Sequence, residues 1–293
     1  VVNIDTEENA ETNLPPGYAS LIEESIPAVD QATRFTGYTC NGVVVPIEGQ
    51  DELSPIREES CIIADDNFTK LFTYPVALGN GDLSQPGQAL LTRSSAERYF
   101  GTDRVTGRSF RISNQFGTRE FTVSGVLENL PETSENAFDM VLSFATLNDP
   151  SYRGEAGWAD PNGLENGFTQ TYLKLHPDAA KGEVEAILTG MAQQADRGQT
   201  KEIRLQPLKN LHLAPSIGYA LPTTGNFTTL LFILAVGLMI MIVAWGNYIN
   251  LTTALGLERS RQIGVQKSLG ATRPQLVLQF LTESFLFRKK KKR

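Results

Sequence analysis

Histidine and cysteine, two residue types often used in catalysis, are few in this chain. His176 and His212 are its two histidines, and neither stands near a serine-rich turn or at a metal-ligand spacing from a carboxylate. The adjacent acidic residues Glu23–Glu24 and Glu58–Glu59 diverge on a helix or a strand, so they fit solvated faces better than an acid/base pair. Because no nucleophile and base can be matched, the sequence predicts no enzyme active site.

The segment GTDRVTGRS, Gly101 to Ser109, comes nearest to a phosphate-binding loop. Five residues rather than four separate its two glycines, and Arg108 stands where the loop requires lysine. The segment also follows a predicted helix and precedes a predicted strand, which reverses the order that a nucleotide loop needs. It is predicted to be a turn, and no cofactor is expected in this chain.

The two cysteines, Cys40 and Cys61, are too few for a zinc site or a disulfide scaffold. One disulfide between them is possible if the large domain lies outside the cytoplasm. The alternative is that both are unpaired small residues of the core.

The stretch ERSRQIGVQKSLGATRPQLVLQFLTES, Glu258 to Ser284, combines cations and glycines without His, Cys or a carboxylate pair. Its chemistry is therefore binding. Arg259, Arg261 and Lys267 can pair with acidic groups of a partner or with lipid headgroups. Gly264 and Gly270 are predicted to allow a tight turn between helices.

Charge divides the chain into two parts. From Gly225 onward there are ten Lys/Arg and two Asp/Glu, which leaves 16 of the 26 basic and 31 of the 33 acidic residues in the first 224. An acidic body repels phosphates, so nucleic acid is excluded as its partner. The asymmetry indicates two environments.

A membrane span is predicted within residues 225–257. Leu230 to Trp245 is a run of sixteen apolar or glycine residues, and a bilayer core of roughly 30 Å needs about 20 helical residues. A buried core helix is the alternative, but no polar face can be drawn on this run. The cations that follow place Glu258 onward in the cytoplasm and residues 1–224 outside.

The tail from Leu276 to Phe287 resembles the start of a second span and ends in RKKKKR. Residues 276–293 are predicted to be a truncated start of the next membrane helix with an added basic run; a lipid-binding polybasic tail is the alternative. The chain starts at Val1 without a signal region, so we expect a fragment of a longer protein.

The first 224 residues predict an α+β, two-lobed extracytoplasmic domain, followed by the membrane helix and a cytoplasmic helical turn. We expect a helix over residues 17–34 broken at Pro27, a short helix capped by Asp65 or Asp66, and a serine-capped helix that ends at Gly101. Strands are predicted at residues 42–47, 60–65, 88–92, 107–113, 119–130, 168–175 and 202–208, and an amphipathic helix at 178–197.

Residues Asn247 to Phe287 resemble the permease core of the MacB/FtsX-like ABC transporter family. Its pattern is matched in register by Asn247, Asn250, Leu251, Ala254, Arg259, Arg261, Ile263, Gly264, Val265, Lys267, Leu269, Gly270, Ala271, Gln279, Phe280, Glu283 and Ser284. Residues 1–224 resemble the MacB-like periplasmic core domain of the type common in Bacteroidetes. Two positions depart from the pattern: Gln262 stands where the family usually has Glu, and Gln266 where it often has Arg. Both changes remove a charge.

The resemblance implies a permease subunit of the bacterial inner membrane that transmits ATPase-driven motion to a periplasmic domain for efflux or export. ATP hydrolysis is then expected on a separate ATPase subunit or domain. Alternatives are an FtsX-like regulator of a periplasmic partner, such as a wall hydrolase, and a single-span sensor. Residues 258–275 become the cytoplasmic coupling element, whose ATPase contacts are expected at Arg259, Arg261, Ile263, Gly264, Val265, Lys267, Ser268, Leu269, Gly270 and Ala271.

Other implied partners are membrane lipid, an outer-membrane or periplasmic protein, and a second copy or an internal pseudo-dimer. These partners follow from the resemblance alone.

Overall fold

The computed structural model describes residues 2–6, 10–37, 39–49, 51–131, 134, 138–195, 200–209 and 227–290. The chain divides into two compact units, residues 1–226 and 227–293. Seven α-helices are described: α1 Gly17–Ser25, α2 Asn67–Phe72, α3 Arg93–Phe100, α4 Pro150–Arg153, α5 Lys181–Ala195, α6 Phe227–Ser268 and α7 Arg273–Lys290.

The first unit contains all the described strands. They are β1 Val2–Thr6, β2 Ala10–Glu11, β3 Asn13–Leu14, β4 Val29–Gly37, β5 Gly42–Glu48, β6 Asp51–Glu52, β7 Ile56–Glu58, β8 Cys61–Ala64, β9 Val76–Gly79, β10 Gln88–Thr92, β11 Ser109–Asn114, β12 Gly117–Leu127, β13 Met140–Ser143, β14 Thr169–Leu175 and β15 Thr200–Leu205.

The strands form a large mixed sheet and a small antiparallel one. The large sheet runs β3-β14-β4-β8-β13-β10-β12-β11-β5-β6, with β7 beside β5 and β9 beside β12. Strand pairs β10/β12 and β13/β8 are parallel, and the others are antiparallel. The small sheet has the order β15-β1-β2. Mixed sheets with helices, followed by an apolar helix, confirm the predicted α+β class.

The main core lies against the centre of the large sheet. Alternate residues of β11 and β12 are buried, so Phe110 and Phe121 stack with their ring centroids 6.0 Å apart. Cys40 and Cys61 belong to the same buried cluster. This alternation is the pattern from which the two strands were predicted.

Helix α5 covers the small sheet with one face. Val184, Leu188 and Ala192 recur every four residues and pack in one buried cluster with Ile203 and Leu205 of β15. Two α5 side chains also accept hydrogen bonds from β15 amides: Thr189 from Ile203 at 2.8 Å and Glu185 from Leu205 at 2.7 Å. Among the described strands, β15 pairs only with β1, so its other edge is open. Helix α5 supplies hydrogen-bond acceptors to the amides of that edge.

Two local predictions were wrong. The helix predicted over residues 17–34 ends at Ser25, and residues 29–37 form β4 because they pair with both β14 and β8. Thr92 rather than a serine caps α3, where its side chain accepts from the Ser95 amide. The N-cap prediction for α2 is confirmed in position: Asp66 is the N-cap residue, although its carboxylate accepts from the Leu83 amide at 3.2 Å rather than from the helix.

Candidate functional site

Helix α6 joins an apolar segment to the predicted coupling residues without a break. An 18-residue window within Phe227–Gly256 has a mean hydropathy of 2.7, no residue of the segment is buried, and the segment is long and apolar enough to cross a membrane. The helix continues to Ser268. At about 1.5 Å per residue, its last twelve residues extend about 18 Å past the apolar segment.

The end of α6 is a Schellman motif. The Gly270 amide donates to the Lys267 carbonyl at 3.1 Å, and the Ala271 amide donates to the Gln266 carbonyl at 3.0 Å. Gly270 has a φ of 93°, in the left-handed region that favours glycine. Ser268 Oγ donates to the Val265 carbonyl at 2.8 Å.

The Gln275 side chain caps the start of helix α7, which follows a connection of four residues, 269–272. The Thr272 amide and hydroxyl both donate to Gln275 Oε1, each at 3.0 Å. The Leu276 amide donates to the Thr272 carbonyl at 3.2 Å. Both helix ends are thus closed by their own hydrogen bonds, so the connection has one defined backbone path.

The predicted turn at Gly264 is absent, because this residue lies inside α6. Apart from the surrounding helix backbone, no atom lies within 4 Å of the position a Cβ would occupy there, so packing does not require glycine. The turn is confined to residues 269–272, with Gly270 as its left-handed residue. Arg259 and Arg261 are also helical, and their side chains lie outside the described part of the structure.

The end of α6 and the turn carry exposed apolar side chains beyond the apolar segment. Val265 and Leu269 are 56% and 81% exposed, and as residues four apart they share one face of the helix. Lys267 and Arg273 are exposed around them, whereas Ile263 and Ala271 are half-buried. The structure therefore brings the predicted residues from Val265 to Ala271 together in one surface with apolar and cationic groups.

The structure pairs Cys40 with Cys61 in a disulfide, with Cα atoms 5.5 Å apart. Both residues are buried. The bond joins the segment after β4 to the first residue of β8.

A half-buried polar cluster in the first unit was missed by sequence reasoning. Asp65 accepts from the Thr33 hydroxyl and, at 3.0 Å, from the Arg34 amide. The Arg34 guanidinium contacts the Phe144 ring at 4.3 Å and donates to the Pro161 carbonyl at 2.8 Å. No local pattern could have revealed a cluster whose members come from four separate segments.

Burial dominates the titration of this pair. Burial raises the pKa of Asp65 to about 6, against the hydrogen bond from Thr33, the Arg34 amide and the Arg34 charge, which all lower it. Burial also lowers the pKa of Arg34, against the nearby carboxylate. The charged form of each group is therefore less favourable here than in water. The attraction between Arg34 Nε and Asp65 Oδ2, which lie 3.9 Å apart, does not offset the loss of hydration.

Metal-binding side chains do not converge in the part of the chain that the structure describes. No group of three His, Cys, Asp or Glu residues there could hold a metal ion. His212 lies outside the described residues.

Family models identify both parts of the chain. Residues 1–191 match the MacB-like periplasmic core domain. The chain belongs to this MacB-like family. Residues 218–287 match the FtsX-like permease C-terminal segment, so the chain carries both elements of a MacB/FtsX-like ABC-type permease. Such permeases are transporter components rather than enzymes, and they work with an ATPase partner.

A solved permease domain shares the fold of this chain. A domain assigned to a permease of Porphyromonas gingivalis is 21% identical, with a TM-score of 0.52 over 72% of this chain and 92% of that one. The periplasmic region of MacB from Actinobacillus actinomycetemcomitans is 14% identical, with a TM-score of 0.45 over 66% and 78% of the two chains. No curated protein matches the sequence.

Proposed function

We propose that this chain transmits ATP-driven motion from a cytoplasmic ATPase to a periplasmic domain. The observation that carries the proposal is the unbroken helix α6, which runs from Phe227 through the apolar segment to the turn at Gly270. A helix of 42 residues is about 63 Å long, roughly twice a bilayer core of about 30 Å. A displacement imposed at its basic end therefore reaches its other end without a flexible joint.

The turn provides the docking surface in this proposal. Val265 and Leu269 remain exposed outside the apolar segment, so lipid tails do not account for them. Lys267 and Arg273 surround them with positive charge. A partner with an apolar recess and an acidic rim complements this surface, and the ATPase is the partner that the family implies.

The proposed topology follows from charge. Basic residues follow the apolar segment and the acidic body precedes it, which supports a cytoplasmic location for residues 258–275 and a periplasmic one for residues 1–224 of an inner-membrane protein. A disulfide in the first unit supports the same assignment, because such bonds persist in oxidising compartments. Binding of ATP shifts the permease only through its different contacts with the two states of the assembly.

The moving periplasmic domain would act on cargo or on an outer-membrane or periplasmic partner, with efflux or export as the output. Substrate would then not need to pass through this chain. A second copy, or a second half of the same protein, would complete the assembly.

Photo-crosslinking in the membrane-embedded protein tests the docking step. A benzophenone amino acid at Leu269 is expected to capture the ATPase. The same group at Leu278, an exposed position of α7 away from the turn, serves as the control. Capture of lipid alone at Leu269, with the ATPase present, would contradict the docking surface.

Breaking the helix tests transmission separately. Proline at Ser260 removes a backbone hydrogen bond between the apolar segment and the turn and costs about 3 kcal/mol in a helix interior. S260P is expected to retain crosslinking at Leu269 but to uncouple ATP hydrolysis from movement of the periplasmic domain. S260A is the matched control. Normal coupling in S260P would argue against a rigid lever.

A further inference from the structure

An apolar cavity in the first unit has no role in the proposed transmission. It has a volume of about 270 Å³ and opens between α2, β14 and the end of β15. Its aliphatic lining consists of Leu71, Leu173, Leu175, Leu205, Pro207 and Leu208. The space suits a medium-length hydrocarbon chain rather than a folded element.

One cation lines this cavity. The Lys181 ammonium lies 3.3 Å from Glu185 Oε1, which also accepts the Leu205 amide at 2.7 Å. Lys181 is about half exposed, and an ammonium has three N–H groups, so the contact with Glu185 leaves donors for an anionic headgroup. Gln206 and Tyr172 are the other polar lining residues. Apolar walls with a single charge at one side complement an amphiphile with a negative head.

The backbone of β15 disfavours an extended peptide as the occupant. A peptide that joins a strand edge gains its affinity from main-chain hydrogen bonds. The Leu205 amide already donates to Glu185, and Pro207 has no N–H group. The Ile203 amide is likewise bound to Thr189. The rim therefore supplies apolar surface and charge, while the Leu205 amide already has an acceptor and Pro207 has none to offer.

We propose that this cavity binds the acyl chain of an anionic lipid, with the lipid headgroup at Lys181. Binding requires neither an ATPase nor the turn at Gly270, so it stands or falls independently of the transmission function. The hydrocarbon contacts provide most of the affinity, and Lys181 selects a negative head over a neutral one.

The probe is dodecanoate with a terminal diazirine, added to the full chain held in a lipid-free amphipathic polymer. Light is expected to label peptides that contain Leu173–Leu175 and Leu205–Leu208. L208E places a charge in the cavity and is expected to reduce this labelling roughly tenfold, as loss of about two methylene contacts would. L21E adds the same charge at another partly exposed leucine that does not line the cavity, and is expected to leave the labelling unchanged.

The headgroup assignment has its own test. K181Q is expected to lower dodecanoate labelling up to roughly fivefold, as a screened charge contact allows, while labelling by the matching diazirine dodecanol stays constant. Equal labelling of wild type and L208E, or a label spread over all apolar segments, would overturn the cavity site. An apolar peptide that displaced the probe, and whose own amides became protected from hydrogen exchange, would overturn the lipid assignment. Because Leu208 is 53% exposed, L208E is expected to fold normally. A urea unfolding curve that matches the wild type would confirm this.

Discussion

The Gly270 amide donates to the Lys267 carbonyl at 3.1 Å while the Gly270 backbone holds a φ of 93°. A Cβ at this φ costs about 1 kcal/mol or more, so G270A is expected to loosen the turn between α6 and α7. Spin labels at Ser260 and Leu278 measure this directly, and their distance distribution should broaden. G264A is the control, since alanine stabilises a helix interior by about 1 kcal/mol relative to glycine. Equal broadening in both variants would contradict the assignment of the turn to Gly270.

Removal of the Gln275 side chain should fray the start of α7. Q275A leaves the Thr272 amide and hydroxyl without the oxygen that accepts both at 3.0 Å, and loss of such a cap costs about 1 kcal/mol. Hydrogen exchange of the amides at 272–276 is expected to accelerate roughly fivefold. Q275E retains an acceptor and should exchange like the wild type. Unchanged exchange in Q275A would show that the cap does not hold the helix end.

Thr189 should matter to stability through its hydroxyl. T189V keeps the side-chain shape but leaves the Ile203 amide without the acceptor it has at 2.8 Å, which costs about 1–3 kcal/mol. Urea unfolding of the full chain in detergent measures the loss. T189S preserves the hydroxyl and should stay within about 1 kcal/mol of wild type. If T189V matched T189S, the hydrogen bond to β15 would have no net value.

Asp65 should make the first unit less stable as the pH rises. Its folded pKa of about 6 lies above the ordinary value of 3.8, so the folded state holds a proton that the unfolded state has released. The resulting stabilisation is complete below about pH 4 and is lost as the pH rises through about 6. A shift of this size corresponds to roughly 3 kcal/mol. D65N cannot release this proton, so it should destabilise the domain less at pH 8 than at pH 5.

Asp149 provides the opposite control. Hydrogen bonds from Ser151 and Arg119 lower its pKa to about 2, so its contribution is lost only as the pH falls through about 2. Unfolding curves of D149N and wild type should therefore differ by a constant amount between pH 5 and pH 8. A pH-independent difference for D65N over the same range would refute the buried-carboxyl assignment.

Loss of the Cys40–Cys61 bond should destabilise the first unit. The bond closes a loop with a sequence separation of 21 residues, and loops of about this length are stabilised by about 3 kcal/mol. The double variant C40A/C61A is expected to unfold at correspondingly lower urea. Reductant should lower the stability of the wild type and leave the double variant unaffected. If reductant left the unfolding curve of the wild type unchanged, although the disulfide was reduced in the unfolded chain, the bond would contribute little to stability.

The sequence by itself determined the α+β class, most strands of the large sheet and the apolar helix. Each rests on a local signal: alternation in β11 and β12, four-residue spacing in α5, and an uncharged run around Leu230–Trp245. Family motifs also located the segment that contains the turn. Such signals survive without tertiary structure because they arise within one element.

Tertiary structure decided what depends on distant partners. Residues 29–37 form a strand because β14, far along the chain, pairs with them, and local helix propensity yields to those hydrogen bonds. Arg34 and Asp65 meet across 31 positions, and the acyl-sized cavity takes its lining from residues between Leu71 and Leu208. Gly264 and Gly270 look alike in sequence, yet only Gly270 has a positive φ, because the hydrogen bonds that close α6 form there. Packing sets the contacts between distant segments and the point at which a helix ends. The spacing of residues along the chain does not encode either of them.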